Sequence, residues 1–392
     1  MAYIYSVLLA LHLYVGLRIA PALGLWPGIQ AALCALLAAS AIAIPGTLFI
    51  LRRRGQARSA ASQRLMTAGF LMTGFASSLL VLTLMRDIGL VVVELASWVV
   101  PSAWAQAAWP AALPGPGRLR ELTALAVPLV AATAAFAGLV GARRTAAIRQ
   151  VDIPIAGLPA ALEGFTIVQV SDVHVGNTIG RDYVEAIVDR VNRLQADVVA
   201  LTGDLVDGTV PQLAHDVDPL GRLQSRFGTF FVTGNHEYYS GAGPWMAEFR
   251  RLGFEVLLNR HVVIEKDGAK LVIAGVPDYS GHHFIESHRS DPAAAIRGAP
   301  EDIGARILLA HQPRSAAAAA DAGFDLQLSG HTHGGQFLPW TFFVRLQQPY
   351  TAGLERLRSM WVYTSRGTGY WGPPMRLGAP SEITRIRLVR GV

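Results

Sequence analysis

The chain has 392 residues, of which 52% are hydrophobic and only 16% charged, and its mean hydropathy is +0.34. Soluble domains carry about 25% charged residues, so a wholly soluble chain is excluded. The net charge of +6 sits in residues 1–142, with nine arginines against three acids; the remainder balances 25 basic with 25 acidic groups, which excludes a basic nucleic-acid-binding face there.

In chain order, residues 2–25 are apolar but interrupted by Arg18 and Pro21. Residues 29–51, 65–85 and 122–142 are uncharged runs of 23, 21 and 21 residues, each long enough for a bilayer core of about 30 Å. They show no polar face, unlike the core helices of soluble proteins. Four membrane spans are expected, the first being the weakest. Recurrence of these runs argues against a cleaved leader. Arg52, Arg53, Arg54, Arg58 and Arg64 lie between the second and third spans, and Arg143, Arg144 and Arg149 follow the fourth. The positive-inside rule puts both clusters and both termini in the cytoplasm, and a bacterial inner membrane is the expected location. Residues 86–120 then face outward, with Trp98, Trp104 and Trp109 as an interfacial belt. Residues 88–100 are also apolar, and a crossing there would invert the topology. Cys34 is the sole cysteine and lies inside an apolar run, so a disulfide framework and a cysteine metal cluster are excluded.

Beyond Arg149 the pattern turns to short β-rich runs separated by polar loops. Residues 165–170, 198–201, 230–232, 271–274 and 307–310 read as strands, and 183–194 carries apolar residues at helical spacing. The alternation predicts an α/β layered domain over 158–392, joined by a linker at 146–157 to the helical anchor of 1–145. The strands run into Asp172-x-His174, Gly203-Asp204, Gly234-Asn235-His236-Glu237, His311 and Gly330-His331-Thr332-His333. Ligands bind beyond the carboxyl ends of strands in such sheets, and glycine lets the backbone turn sharply there.

Asp172, His174, Asp204, Asn235, His311, His331 and His333 are candidate metal ligands. Imidazole and carboxylate without thiolate suit Mn, Fe or Zn. Seven donors are enough for two divalent ions if one carboxylate bridges, and such a pair clamps the oxygens of an in-line phosphoryl displacement. Each motif alone is weak, because Asp-x-His recurs by chance and Gly-Asp is a common turn. The ordered set, each member after a strand, is specific.

These motifs resemble the ordered signature of calcineurin-like metallophosphoesterases, over about 158–388. Residues 329–336, 364–369 and 376–382 resemble a bacterial membrane-associated branch that includes a hydrolase of UDP-2,3-diacylglucosamine in lipid A synthesis. The resemblance implies a two-sheet α/β sandwich. It implies one metal on Asp172, His174, Asp204 and His333, and another on Asp204, Asn235, His311 and His331, with Asp204 bridging. Between them an activated water would attack phosphorus. It also implies that His236 protonates the leaving oxygen or stabilises phosphoryl charge, with Glu237 expected to orient it. Asp204 and His236 are thus the candidate catalytic residues. At 276–278, Val-Pro-Asp departs from the branch's paired acids and leaves Asp278 without a role.

Substrate contacts and oligomeric state stay open. His282 and His283 read as a solvated loop, with substrate contact as the alternative. Residues 339–343 read as core, with cover for an acyl chain or contact with the membrane interface as the alternative. Residues 316–320 are a plain helix former. The expected enzyme hydrolyses a phosphodiester or pyrophosphate bond in a lipid-linked substrate. The alternatives are a broad phosphodiesterase or phosphatase without lipid preference and a non-catalytic membrane scaffold. A transporter is disfavoured by the scarcity of ionisable residues in the spans.

Overall fold

The computed structural model describes residues 2–24, 26–52, 60–99 and 115–391. The chain divides into two compact units, one running to Leu139 and the other from Val140.

The first unit is built from α1 (Ala2–Ile19), α2 (Pro27–Arg52), α3 (Ala60–Val99) and α4 (Pro116–Arg143). Val15, Ile19, Leu23, Leu37, Leu79 and Ala131 form its small buried core. Leu17, Ile42 and Phe136 remain exposed, an apolar exterior that water does not favour. His12 ties α1 to α2 through Ser40 Oγ at 2.8 Å. Arg18, which interrupts the first apolar stretch, pairs with Asp87 at 2.6 Å, and Asp87 also takes the Tyr14 hydroxyl at 2.7 Å. Half-buried Asp87 is thus matched by both a cation and a hydroxyl.

Among the described residues two stretches, Tyr5–Leu23 and Gly117–Arg143, are long and apolar enough to cross a membrane, and Pro27–Ala43 is apolar but shorter. These two coincide with the expected first and fourth spans. Helix α3 changes the reading of residues 86–99. It continues unbroken for 40 residues, about 60 Å at the α-helical rise and twice a bilayer core. Residues 86–99 are therefore helix, not the start of an extended linker. Trp98 is exposed at its end; Trp104, Trp109, Arg53, Arg54 and Arg58 lie outside the described residues.

The second unit contains two six-stranded sheets. The first has the order β1-β12-β2-β3-β4-β5, from β1 (Ala147–Ala156), β2 (Thr166–Val170), β3 (Val198–Leu201), β4 (Thr229–Phe231), β5 (Glu255–Val256) and β12 (Glu382–Gly391). The second has the order β10-β11-β9-β8-β7-β6, from β6 (Arg260–Lys266), β7 (Ala269–Gly275), β8 (Ile303–Leu309), β9 (Leu326–Ser329), β10 (Gly353–Leu357) and β11 (Met360–Thr364). Residues 146–157, expected as a linker, are mostly β1, which pairs in parallel with β12 over ten residues. The alternation of buried and exposed residues in its last half, with Ile153 and Ile155 inward, fixes its register.

Period-two alternation also builds the layers. In β2, Ile167 faces the other sheet, where Phe165, Val198 and Phe230 meet Leu271, Ile273, Ile307 and Leu328. Val168 and Val170 face outward and are covered by α5 (Arg181–Asn192) and α8 (Ala242–Arg251) through Ile187, Val191, Trp245 and Phe249. On the far side, Val272, Ala274 and Leu308 are covered by α9 (Pro292–Ile296) and α10 (Ala316–Asp321). The domain is a two-sheet α/β sandwich with helices on both outer faces. Strands β2, β3 and β4 are mutually parallel, as are β7, β8 and β9. Their carboxyl ends meet across the sandwich, where Gln169 Nε2 donates to Thr202 Oγ1 at 2.8 Å and to the Ser329 carbonyl at 2.9 Å.

Candidate metal centre

The loops leaving these strands carry the candidate ligands, and their backbones are forced into the left-handed region. Ten described non-glycine residues have positive φ, and five of them are Asp172, His174, Asp204, His331 and His333. That conformation costs about 1–3 kcal/mol per residue and collects where geometry serves a site. Neighbouring glycines make room. A Cβ on Gly330 would lie 2.1 Å from Asp172 Oδ2, and one on Gly234 would lie 2.1 Å from Asp204 Oδ1.

Two groups hold candidate ligands, Asp172 with His174 and His333, and Asp204 with His311 and His331, and a third joins His174 to Asp207 and His236; in each the ligand-type atoms lie within 4.8 Å of one another. Asp204 Oδ2 stands 3.0 Å from His311 Nε2 and 4.0 Å from His174 Nε2, between the two groups. Tautomers can be read from the carbonyl and carboxylate partners, which only accept. His311 Nδ1 donates to the Thr202 carbonyl at 2.7 Å, which directs its Nε2 at the Asp204 carboxylate. His174 Nδ1 donates to Asp207 at 3.1 Å, which directs its Nε2 at His333 Nε2, 3.0 Å away. Imidazole nitrogens of His174, His311 and His333 and the Asp204 carboxylate converge in a buried site, a donor set that suits cations. Asp172 Oδ2 and Asn235 Oδ1 are also buried and lack a hydrogen-bond partner. Oxygen and nitrogen donors arranged in this way suit a dinuclear divalent metal site.

Burial, reinforced by His311, pushes the His331 pKa down to about 3, and burial with Arg376 pushes His333 well below its usual range. Both are neutral at physiological pH, the form that ligates. His236 stands apart, at the amino end of α7 (Asn235–Ser240). Its Nδ1 lies 2.5 Å from Asp207 Oδ1 and its Nε2 4.0 Å from Asp204 Oδ2. Burial opposes its charge, but Asp204 and Asp207 prevail and lift its pKa to about 9.

Two sequence expectations change. Glu237 does not orient His236. Its buried carboxylate accepts from the backbone N–H groups of Asp204, Leu205 and Gly234, at 2.9, 2.7 and 2.6 Å, and so locks the β3 and β4 loops together. Asp207 does the orienting, shared between His174 and His236. Its signal was available in the sequence, three residues after Asp204 in the same turn. Arg376 also escaped notice. Fully buried, it donates to His333 Nδ1 at 2.9 Å and to the His333, Arg366 and Ala379 carbonyls.

Asp278 is engaged by Ser280 and Gln312 and joins neither group. His283 is exposed, and His282 packs on it with ring centroids 4.0 Å apart; neither joins the groups. Residues 339–343, expected as core, are not buried: α11 (Trp340–Phe343) leaves Phe342 71% exposed. Residues 316–320 are helical, with Ala316 and Ala319 packed on the second sheet.

Residues 165–335 match the calcineurin-like phosphoesterase family. A transmembrane protein with metallophosphoesterase domain from Danio rerio is 39% identical over 280 residues, 69% of this chain and 63% of its own length. Its counterpart from Bos taurus is 40% identical over 277 residues, 68% of this chain and 62% of its own. The chain thus spans under two thirds of these curated relatives. An uncharacterised metallophosphoesterase of Campylobacter jejuni is 34% identical over 272 residues, 69% of this chain and 70% of its own.

Proposed function

The chain belongs to the calcineurin-like phosphoesterase family, and we propose that it is a membrane-anchored hydrolase of a phosphodiester or pyrophosphate bond in a lipid-linked substrate. The observation that carries this reading is the pair of buried Asp/His groups meeting at Asp204. One divalent ion is assigned to Asp172, His174, Asp204 and His333, and a second to Asp204, Asn235, His311 and His331. Ions held there withdraw charge from phosphoryl oxygens and lower the pKa of water.

The protein's own groups do the rest. Asp207 Oδ1 accepts a hydrogen bond from His236 Nδ1–H, which leaves the Nε2–H directed at the reaction site. At a pKa of about 9 that imidazole is charged at neutral pH, so it donates to the leaving oxygen or to charge growing on the phosphoryl group. Asp207 also fixes His174, so one carboxylate sets two imidazoles. Asp204, tied in place by the His236 amide at 2.8 Å, keeps both groups in register.

The membrane part of the proposal is supported by the two membrane-length helices and by relatives named as transmembrane proteins. The arginine distribution supports a multi-pass anchor with the catalytic domain in the cytoplasm, and a bacterial inner membrane is the proposed location. Protease added outside intact cells should leave the catalytic domain uncut; cleavage would reverse the topology. The lipid-nucleotide substrate rests on motif resemblance and on the anchor. Purified protein with Mn²⁺ should hydrolyse UDP-2,3-diacylglucosamine, and Asp204→Ala should abolish this. Turnover of a soluble aryl phosphodiester alone would keep the metal mechanism and discard the lipid assignment.

A further inference from the structure

Around His236 the surface is apolar. Its ring meets Tyr239 at a centroid distance of 5.2 Å and Trp371 at 5.7 Å. Tyr239 in turn packs edge-on against Phe284 at 5.6 Å. Next to Phe284 stands Ile285. Phe284 and Trp371 are more than half exposed, at 52% and 54%, and Tyr239 and Ile285 are also exposed. Four large apolar side chains open to water beside the most polar site of the domain form a patch of the kind that marks binding.

The patch is held in place from beneath. Gln336, buried and directly after the His-x-His motif, accepts from the Trp371 amide at 2.8 Å and donates to the Trp371 and Pro373 carbonyls at 2.9 and 3.0 Å. On the other side, Tyr238 bonds His288 at 2.8 Å, and the Phe284 and Ile285 amides both donate to the Gly281 carbonyl at 3.0 Å. Three hydrogen bonds from one buried side chain therefore keep an exposed tryptophan at the mouth of the site.

The rings meet one another at 63–74°. Tyr239 and Phe284, at 63° to each other, present tilted edges with an aliphatic neighbour instead of a stacked pair. A flexible hydrocarbon chain conforms to such a surface, and it gains about fourfold in affinity per buried methylene. The chain's own membrane-length helices keep the domain where such substrates reside.

We propose that Tyr239, Phe284, Ile285 and Trp371 form the subsite for the acyl-bearing part of the substrate, on the leaving-group side of His236. This rests on the phosphoesterase reading above and names where its apolar substrate is recognised.

The test uses the full chain in lipid nanodiscs with Mn²⁺ and a soluble aryl phosphodiester. Inorganic phosphate and butyl, hexyl and octyl phosphate serve as competitive inhibitors, each below its critical micelle concentration. Inhibition by the wild-type protein should strengthen by up to about fifteenfold for each two-carbon step. In Phe284→Ser and Trp371→Ser, the octyl-to-butyl ratio should collapse towards one, with inorganic phosphate calibrating the metal site of each variant. A wild-type ratio near one, or a ratio unchanged in both variants, overturns the proposal. So does uridine monophosphate inhibiting far better than ribose 5-phosphate through Trp371, because that gives the rim to a flat base. Failure of inorganic phosphate to inhibit any form would instead sink the phosphoesterase reading beneath it.

Discussion

Glu237 provides the sharpest separation between a catalytic and an architectural role. Its carboxylate has no exposure and accepts three backbone N–H groups, Oε2 from Asp204 and Gly234 and Oε1 from Leu205. Glu237→Ala leaves three buried donors unsatisfied, at about 1–3 kcal/mol each. The sum, about 3–9 kcal/mol, rivals the whole stability of a typical domain. Glu237→Gln is milder. Its amide oxygen can take the two-donor position, leaving an N–H₂ group against the Leu205 N–H and a loss of about 1–3 kcal/mol. For a domain of this size each kcal/mol lowers the melting temperature by about 2–4 °C. Thermal unfolding of the purified full chain should therefore rank wild type, Gln and Ala in that order, with Ala lower by about 6 °C or more. Both variants melting within about 1 °C of wild type while losing turnover would refute this account and return Glu237 to orienting His236.

Other consequences concern the site itself. Asp207→Ala removes the acceptor shared by His174 and His236; kcat should fall by about 10²–10⁴, the range of a general acid, whereas a change confined to KM would contradict the assigned role. Gly330→Ala drives a Cβ onto Ser171 Oγ and Asp172 Oδ2, so elemental analysis should find metal lost from the Asp172 group. Retention of full metal content would show that the loop has slack. Chelation should destabilise the fold as well as stop turnover. Saturating metal at about a hundred times its dissociation constant adds about 2.7 kcal/mol, so the melting temperature should drop on chelation and recover with Mn²⁺; no drop would argue against buried ligation.

What could be read from the chain, and what could not, follows the range of the signals. Strands β2 and β3 were legible because buried runs of Val, Ile and Leu end in Asp or Gly-Asp, a local pattern. Six of the seven candidate ligands, Asp172, His174, Asp204, His311, His331 and His333, follow such strand ends and lie together in the fold. Strand β1 was not legible, because five of its first six residues are exposed and the strand has one partner strand. Its pairing with β12, more than 200 residues away, is a tertiary fact. The continuity of α3 past Arg86 was hidden because Arg86 and Asp87 look like the end of a span; in the fold they pair with each other and with Arg18. Arg376 was not legible because a role played through another residue's imidazole leaves no spacing rule, whereas Asp207 stood in plain view three residues after Asp204. The exposed α11 aromatics misled for the opposite reason, since apolar composition alone reads as core.

The central claim is that two divalent ions share Asp204 and that hydrolysis depends on both. The most direct measurement strips the protein with chelator and titrates Mn²⁺ back while following bound metal and aryl phosphodiester hydrolysis together. Two equivalents should bind per chain, with activity rising as the second site fills, and Asp204→Ala should lose both. Full activity at one equivalent, or activity that survives chelation, would contradict the account.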